Sequence, residues 1–125
     1  MLRAIATDGP QVLCGDFNAT PAHDEIRFLR GETTLAGRRT HYQDAWSKCH
    51  PQEPGHTWCT QNPLTQSQRS LDVDRRIDYI FATTRADDGR GAIRDAQVVL
   101  DGRDARGECA SDHYGVQADI QIAPD

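Results

Sequence analysis

The strongest fold signal in this sequence is the alternating segment RRIDYIFAT, Arg75–Thr83. Successive side chains of an extended chain point to opposite faces of a sheet, so Ile77, Tyr79 and Phe81 share one apolar face. Asp78 lies between them in the sequence and points to the other face. The segment is therefore predicted to be a β-strand that packs one face on the core and presents a carboxylate on the other.

Shorter patterns on either side of this strand predict the remaining elements. They are a buried strand at Gln11–Cys14 that ends at Gly15, a helix at Ala22–Leu29, a short helix at Thr40–Trp46, a brief strand at His56–Thr60, and strands at Ala92–Leu100 and Tyr114–Ile122. The polar residues Gln61–Asp74 lack apolar periodicity and are predicted to form a long surface loop. About five strands and one or two helices predict an α/β (α+β) fold, with one mixed β-sheet that carries its helices on one face.

Length and charge limit the domain organisation and the partners. The 125 residues are expected to form one domain or half of a larger one. The formal net charge of −5 argues against a broad basic surface that would follow a nucleic-acid backbone. No apolar run approaches the length of a membrane span, and Asp8, Gly9 and Pro10 interrupt any signal-peptide core near the start. The protein is therefore expected to be cytoplasmic, unless a longer form carries an export signal.

The cysteines and four of the five histidines show no recognisable site pattern. The cysteines lack both the paired spacing of a zinc site and the density of a disulfide scaffold, so we interpret them mainly as small buried hydrophobic residues. A single disulfide among them is the alternative. The four histidines have no metal-site spacing and are interpreted as surface or loop residues. These residues are Cys14, Cys49, Cys59 and Cys109, and His23, His41, His50 and His56.

Two further short motifs adjoin strand-like runs elsewhere in the chain. GDFN occupies Gly15–Asn18, and SDHYG occupies Ser111–Gly115. If GDFN is extended, its i, i+2 spacing turns Asp16 and Asn18 toward the same side, while Phe17 points back into the core. Both motifs place acidic or amide side chains next to the ends of predicted strands.

The three motifs in this order resemble the C-terminal half of the endonuclease/exonuclease/phosphatase superfamily, the DNase I-like metal-dependent phosphoesterases. The resemblance implies half of a four-layer α/β sandwich and the hydrolysis of phosphate esters. It implies that Asp16 orients or deprotonates the attacking water and that Asn18 donates to the phosphoryl group. It also implies that Asp112, together with Asp16, holds Mg²⁺ or Mn²⁺.

The same resemblance implies that His113 engages the phosphate or transfers a proton. It further implies that Asp78 pairs with His113, because a carboxylate hydrogen-bonded to one ring nitrogen fixes the tautomer of a histidine. The alternative is that Asp78 forms only a structural salt bridge with Arg75 or Arg76.

Two other features also allow a structural interpretation. GDFN could be an Asp-x-Asn turn without chemistry. Trp58, next to Thr57, is a candidate substrate-binding residue, but a core or rim aromatic is the favoured interpretation.

The sequence departs from the family pattern upstream of GDFN, because only fourteen residues precede Gly15. Relatives carry a metal-binding glutamate in an N-terminal half. The glutamates of this chain fall in other segments and cannot be assigned that role: Glu25, Glu32, Glu53 and Glu108. Residues 1–125 are therefore interpreted as a single partial domain.

Two functions follow from this interpretation. The first is a truncated metal-dependent phosphoesterase that uses Asp16, Asn18, an Asp78–His113 pair and Asp112. Its acidic charge favours small phosphate esters or lipid headgroups over nucleic acid. The alternative is a non-catalytic half-domain that binds a partner through an open sheet face, which a missing N-terminal half or a second copy would cover.

Overall fold

The computed structural model describes residues 9–68 and 73–125. Its elements are β1 (Val12–Asp16), α1 (Asp24–Leu29), β2 (Tyr42–Asp44), α2 (Ala45–Cys49), a 3₁₀ helix (Pro63–Gln68), β3 (Asp78–Thr83), β4 (Ile93–Val99) and β5 (Gly115–Ile120). This content confirms the predicted α/β (α+β) fold class. Within the described ranges, no helix combines the length and the apolar character that crossing a bilayer requires.

The strands form two antiparallel sheets instead of the one mixed sheet that we expected. β3 is the centre of the first sheet, in the order β1-β3-β2, and β4 pairs with β5 in the second. Trp58 connects the two sheets, because its backbone pairs with Arg75 before β3 and with His113 before β5. The predicted strand at His56–Thr60 is reduced to this bridge.

The core of the first sheet forms on the apolar face of β3, as the alternation predicted. Tyr79 and Phe81 are buried with Ala19 and Ile26. Phe17 packs edge-on against both rings, with centroid distances of 5.6 Å to Tyr79 and 5.5 Å to Phe81. The Tyr79 hydroxyl donates to the carbonyl of Ala19 at 2.7 Å, so the one polar atom of this aromatic cluster is satisfied.

The helix predicted at Thr40–Trp46 is wrong in its position, because a strand occupies the first part of this range. Tyr42–Asp44 pairs with β3, and α2 begins only at Ala45. Asp44 ends the strand in extended backbone, and its side chain accepts from the amide of Ser47. An N-cap aspartate of this kind starts a helix, so the sequence changes from strand to helix at this residue.

Arg76 forms a buried ion pair with Asp44. Its Nη1 lies 2.9 Å from both carboxylate oxygens, and its Nη2 donates to the Ser47 hydroxyl at 3.0 Å. The pair joins the start of α2 to the residues that lead into β3. Its charges are removed from water, so each depends on the other for compensation.

The prediction that Gln11–Cys14 is a buried strand is wrong. The strand exists, but every residue of β1 is exposed, including Val12 (50%) and Leu13 (38%). β1 lies at the edge of its sheet and has no second strand partner within residues 9–68 and 73–125. The apolar run therefore predicted the strand correctly but not its burial, because no other described element covers it.

The predicted surface loop Gln61–Asp74 is partly an internal structural element. It contains the 3₁₀ helix, and Asn62 and Thr65 are fully buried. Asn62 Nδ2 donates to the carbonyl of Ser111 at 2.7 Å, and the Thr65 hydroxyl donates to the carbonyl of Cys59 at 3.0 Å. Short polar side chains can be buried here because they satisfy backbone groups. Residues 69–72 of this prediction lie outside the described residues.

The cysteines differ from their interpretation as buried residues. Cys14 is exposed and the other three are half-buried, and all four are free thiols.

Candidate functional site

Three residues from separate motifs meet at one end of the first sheet. Asp16 ends β1 and Asp78 begins β3, and the antiparallel register places these two residues opposite each other. His113 precedes β5 and is held beside them by its backbone pairing with Trp58. One potential ligand atom from each of the three side chains lies within 4.8 Å of the other two. The fold thus assembles a group of two carboxylates and one imidazole.

Asp78 and His113 form the hydrogen bond that the sequence predicted. His113 Nδ1 lies 2.8 Å from Asp78 Oδ2, and the side chains are 27% and 19% exposed. A carboxylate accepts from this ring nitrogen, so the proton is on Nδ1 and Nε2 remains for a substrate or water. The amide of His113 also donates to the Ser111 hydroxyl at 3.2 Å, which helps to fix the backbone at this residue.

The neighbouring arginines have other partners. The Arg76 guanidinium is bound to Asp44, and that of Arg75 lies over the Trp58 ring, 4.5 Å from its centroid. The structural salt bridge considered for Asp78 with Arg76 is therefore absent. The carboxylate is engaged by the imidazole instead.

Asp16 and Asn18 are brought together by a turn, and not by the extended geometry that we expected. Asn18 has a left-handed backbone with a φ of 49°, and its amide donates to Asp16 Oδ1 at 2.8 Å. Its side-chain Nδ2 is 3.5 Å from Asp16 Oδ2. This is the Asp-x-Asn turn that was the structural alternative. The turn also contributes to the site, because it orients the Asp16 carboxylate that faces Asp78 and His113.

Thr57 is a positioning residue that sequence reasoning missed. Its buried hydroxyl oxygen accepts from the amides of Ile77 and Asp78, each at 3.2 Å. Its carbonyl accepts from the amide of Tyr114 at 2.7 Å. Thr57 therefore connects the backbone at Asp78 with the backbone next to His113. A single threonine beside a tryptophan gives no periodic signal, so only the three-dimensional contacts identify it.

We expect Thr57→Val to destabilise the protein by about 1–3 kcal/mol, because valine keeps the shape but leaves two amide donors without their acceptor. Urea denaturation monitored by tryptophan fluorescence measures this change. Thr57→Ser retains the hydroxyl and serves as the control. Equal stability of the valine variant and the wild type would show that these two hydrogen bonds do not stabilise the fold around Asp78.

Two predicted site residues are not brought into the group. Trp58 is only 2% exposed, which agrees with the core interpretation that the sequence favoured, and its role in substrate binding stays a prediction. Its backbone bridges both sheets, and the Arg75 guanidinium lies over its ring. Asp112 is not one of the three grouped residues, and its Oδ1 accepts from the Ser111 hydroxyl at 3.1 Å. A metal-binding role for Asp112 stays a prediction.

A second cluster contains His56, Cys59 and Asp74, whose potential ligand atoms also lie within 4.8 Å of one another. The sequence interpretation gave these residues no site. Two hydrogen bonds from Thr60 lower the pKa of Asp74, and the bond from the amide has a larger effect than the bond from the hydroxyl. Burial raises the pKa of the Cys59 thiol, and the nearby Asp74 charge adds to the rise.

A comparison with known protein families identifies the family of this chain. The model of the endonuclease/exonuclease/phosphatase family matches residues 1–113 of the 125. No curated protein sequence gives a significant match. The matched range includes all three members of the first group. The chain therefore belongs to the endonuclease/exonuclease/phosphatase family, a family of phosphoesterase-type hydrolases.

Proposed function

We propose that this protein hydrolyses phosphate esters with the help of a divalent cation, at the group formed by Asp16, Asp78 and His113. The observation that carries the proposal is the convergence of these side chains within 4.8 Å from three distant segments. Family membership supports the same class of chemistry.

His113 binds the phosphoryl group in this proposal. The carboxylate of Asp78 at 2.8 Å holds the Nδ1 proton and stabilises positive charge on the ring. Nε2 can then donate to a phosphoryl oxygen as negative charge develops there. Asp78 does not contact the substrate in this scheme, so we assign it as a positioning residue.

Asp16 acts on the attacking water. Its carboxylate is fixed by the amide of Asn18 and lies across the strand pair from Asp78. It orients the water and accepts one of its protons, while the water oxygen forms a bond to phosphorus and the bond to the leaving oxygen breaks. The side-chain amide of Asn18 donates to the phosphoryl group.

The donor set fits Mg²⁺ or Mn²⁺. Mg²⁺ is usually bound by one or two carboxylates together with waters and substrate phosphates. Asp16 would be the main carboxylate ligand, since one oxygen of Asp78 is engaged by His113, and Asp112 would be a further ligand. When bound, the cation neutralises charge on the phosphoryl oxygens.

We propose small phosphate esters or lipid headgroups as the substrate class. The net charge of −5 repels a long polyanion more strongly than a small ester. The carboxylates of the site add to this repulsion. A short substrate can be held by local contacts alone, whereas a nucleic acid requires a basic track for its backbone.

The test is hydrolysis of bis-p-nitrophenyl phosphate and of plasmid DNA with Mg²⁺ or Mn²⁺. We expect cleavage of the small diester that EDTA abolishes and added cation restores. Asp16→Asn should lower the rate by at least ~10-fold, because the amide cannot take the proton of the water and binds a cation weakly. Asp87→Asn, in an exposed turn, is the matched control. A chain that cleaves neither substrate, or an Asp16 variant as active as the wild type, would contradict the proposal.

A further inference from the structure

The second cluster offers chemistry different from that of the proposed hydrolytic site. It contains an imidazole, a thiol and a carboxylate, from His56, Cys59 and Asp74, and all three residues are half-buried. The hydrolytic group contains no sulfur. Imidazole and thiolate ligands suit zinc and related transition metals, whereas Mg²⁺ prefers oxygen alone.

The backbone holds the three ligands in place. His56 and Cys59 flank the Thr57–Trp58 dipeptide, and Trp58 exchanges backbone hydrogen bonds of 2.8 and 2.9 Å with Arg75. Asp74 is the residue directly before Arg75, so this pairing brings its side chain to the other two. The cluster therefore depends on the same bridge that connects the two sheets.

The carboxylate is also oriented by a neighbour. Both the amide and the hydroxyl of Thr60 donate to Asp74 Oδ1 at 2.8 Å. Hydrogen bonds of this kind around a metal ligand set its direction and are a common feature of metal sites. The Asp74 carboxylate therefore already lies beside His56 and Cys59, and binding an ion requires no movement of the backbone.

We propose that His56, Cys59 and Asp74 bind a zinc-class divalent cation, with water as the fourth ligand. Tetrahedral zinc with bonds of about 2.0–2.3 Å places its ligands ~3.3–3.8 Å apart. Ligand atoms that already lie within 4.8 Å of one another reach this spacing by small side-chain rotations. The bound ion ties residues 56–59 to the segment that enters β3, and so stabilises Thr57, which holds Asp78. This site is separate from the proposed hydrolytic activity and does not depend on it.

Cobalt titration of the reduced, chelator-treated 125-residue protein tests the proposal. A Co²⁺–thiolate bond gives a near-ultraviolet charge-transfer band, and tetrahedral Co²⁺ gives intense visible bands. We expect both to appear with a stoichiometry of one ion per chain and to disappear when Zn²⁺ is added. Zn²⁺ should also raise the midpoint of thermal unfolding.

Variants identify the ligands. Cys59→Ser should abolish the charge-transfer band, and His56→Asn and Asp74→Asn should each weaken Co²⁺ binding by at least ~10-fold. Cys49→Ser removes another half-buried thiol and should leave the spectrum unchanged, as should Asp16→Asn in the hydrolytic group. Circular dichroism shows whether each variant is folded. If Cys59→Ser is unfolded, His56→Asn keeps the thiol and still tests the site. No thiolate band in the wild type, or a band that persists in folded Cys59→Ser or at full strength in His56→Asn, would overturn the proposal.

Discussion

Replacing His113 with alanine is expected to lower kcat/KM for phosphodiester hydrolysis by about 100- to 10,000-fold, the range that a positioned proton-transfer or charge-stabilising group contributes. The substitution removes Nε2, the atom that we place against the phosphoryl oxygen. It also leaves the Asp78 carboxylate without its imidazole partner. Steady-state kinetics with bis-p-nitrophenyl phosphate and Mg²⁺ measure the loss.

His23→Asn is the matched control for this experiment. His23 is an exposed histidine at the N-cap of α1, and asparagine is a favourable residue at that position. The control should fold and retain wild-type activity. If His113→Ala kept more than about a tenth of the wild-type kcat/KM, His113 would not have the proposed role in proton transfer or charge stabilisation. A group with such a role contributes at least ~100-fold.

Replacing Asp44 with alanine is expected to lower the free energy of unfolding by about 3–5 kcal/mol. The side chains of Arg76 and Asp44 are 5% and 3% exposed, so the substitution leaves a guanidinium buried without a counter-charge. It also removes the N-cap that accepts from the amide of Ser47. Urea denaturation followed by circular dichroism measures the change.

The surface ion pair Arg27–Asp24 provides the control for the loss of stability expected in Asp44→Ala. Its side chains are 42% and 83% exposed and its N–O distance is 3.0 Å, close to that of the buried pair. Asp24→Ala should cost less than ~1 kcal/mol, because water screens the exposed charges. If both alanine variants lost the same stability, burial would not be the reason for the importance of Asp44.

The central strand shows which parts of the fold the sequence could predict. Alternation over Ile77, Tyr79 and Phe81 predicted the strand and its buried face, because a strand with one core face carries a period-2 pattern. The burial of β1 was not predictable in the same way. Its apolar run Val12–Cys14 indicates a strand, but exposure depends on whether another layer covers the sheet, and local sequence does not contain that information.

Polar segments were the other source of error. Asn62 and Thr65 look like loop residues, yet both are buried because they bond to the backbone of Ser111 and Cys59. Tertiary hydrogen bonds of this kind leave no periodic trace. Asp44 was similarly missed as the point where a strand becomes a helix.

The candidate site was predicted in part. The contact between Asp78 and His113 was expected and is present, whereas their catalytic roles stay predictions. Asn18 reaches Asp16 through a turn, and Trp58 is a buried bridge between the sheets. The His56–Cys59–Asp74 cluster could not be predicted from sequence spacing. Asp74 reaches the other two residues only because the neighbouring Arg75 pairs with Trp58 in the folded chain.

A double-mutant cycle on Asp78 and His113 tests the central claim most directly, namely that the two residues act as one unit in phosphoester hydrolysis. The measurement is kcat/KM for bis-p-nitrophenyl phosphate in four proteins: the wild type, Asp78→Asn, His113→Ala and the double variant. We expect Asp78→Asn to reduce activity strongly in the presence of His113 and to have little further effect once His113 is alanine, since a positioning residue acts only through its partner. Losses that multiply in the double variant would show that the two side chains act independently, and would contradict the mechanism.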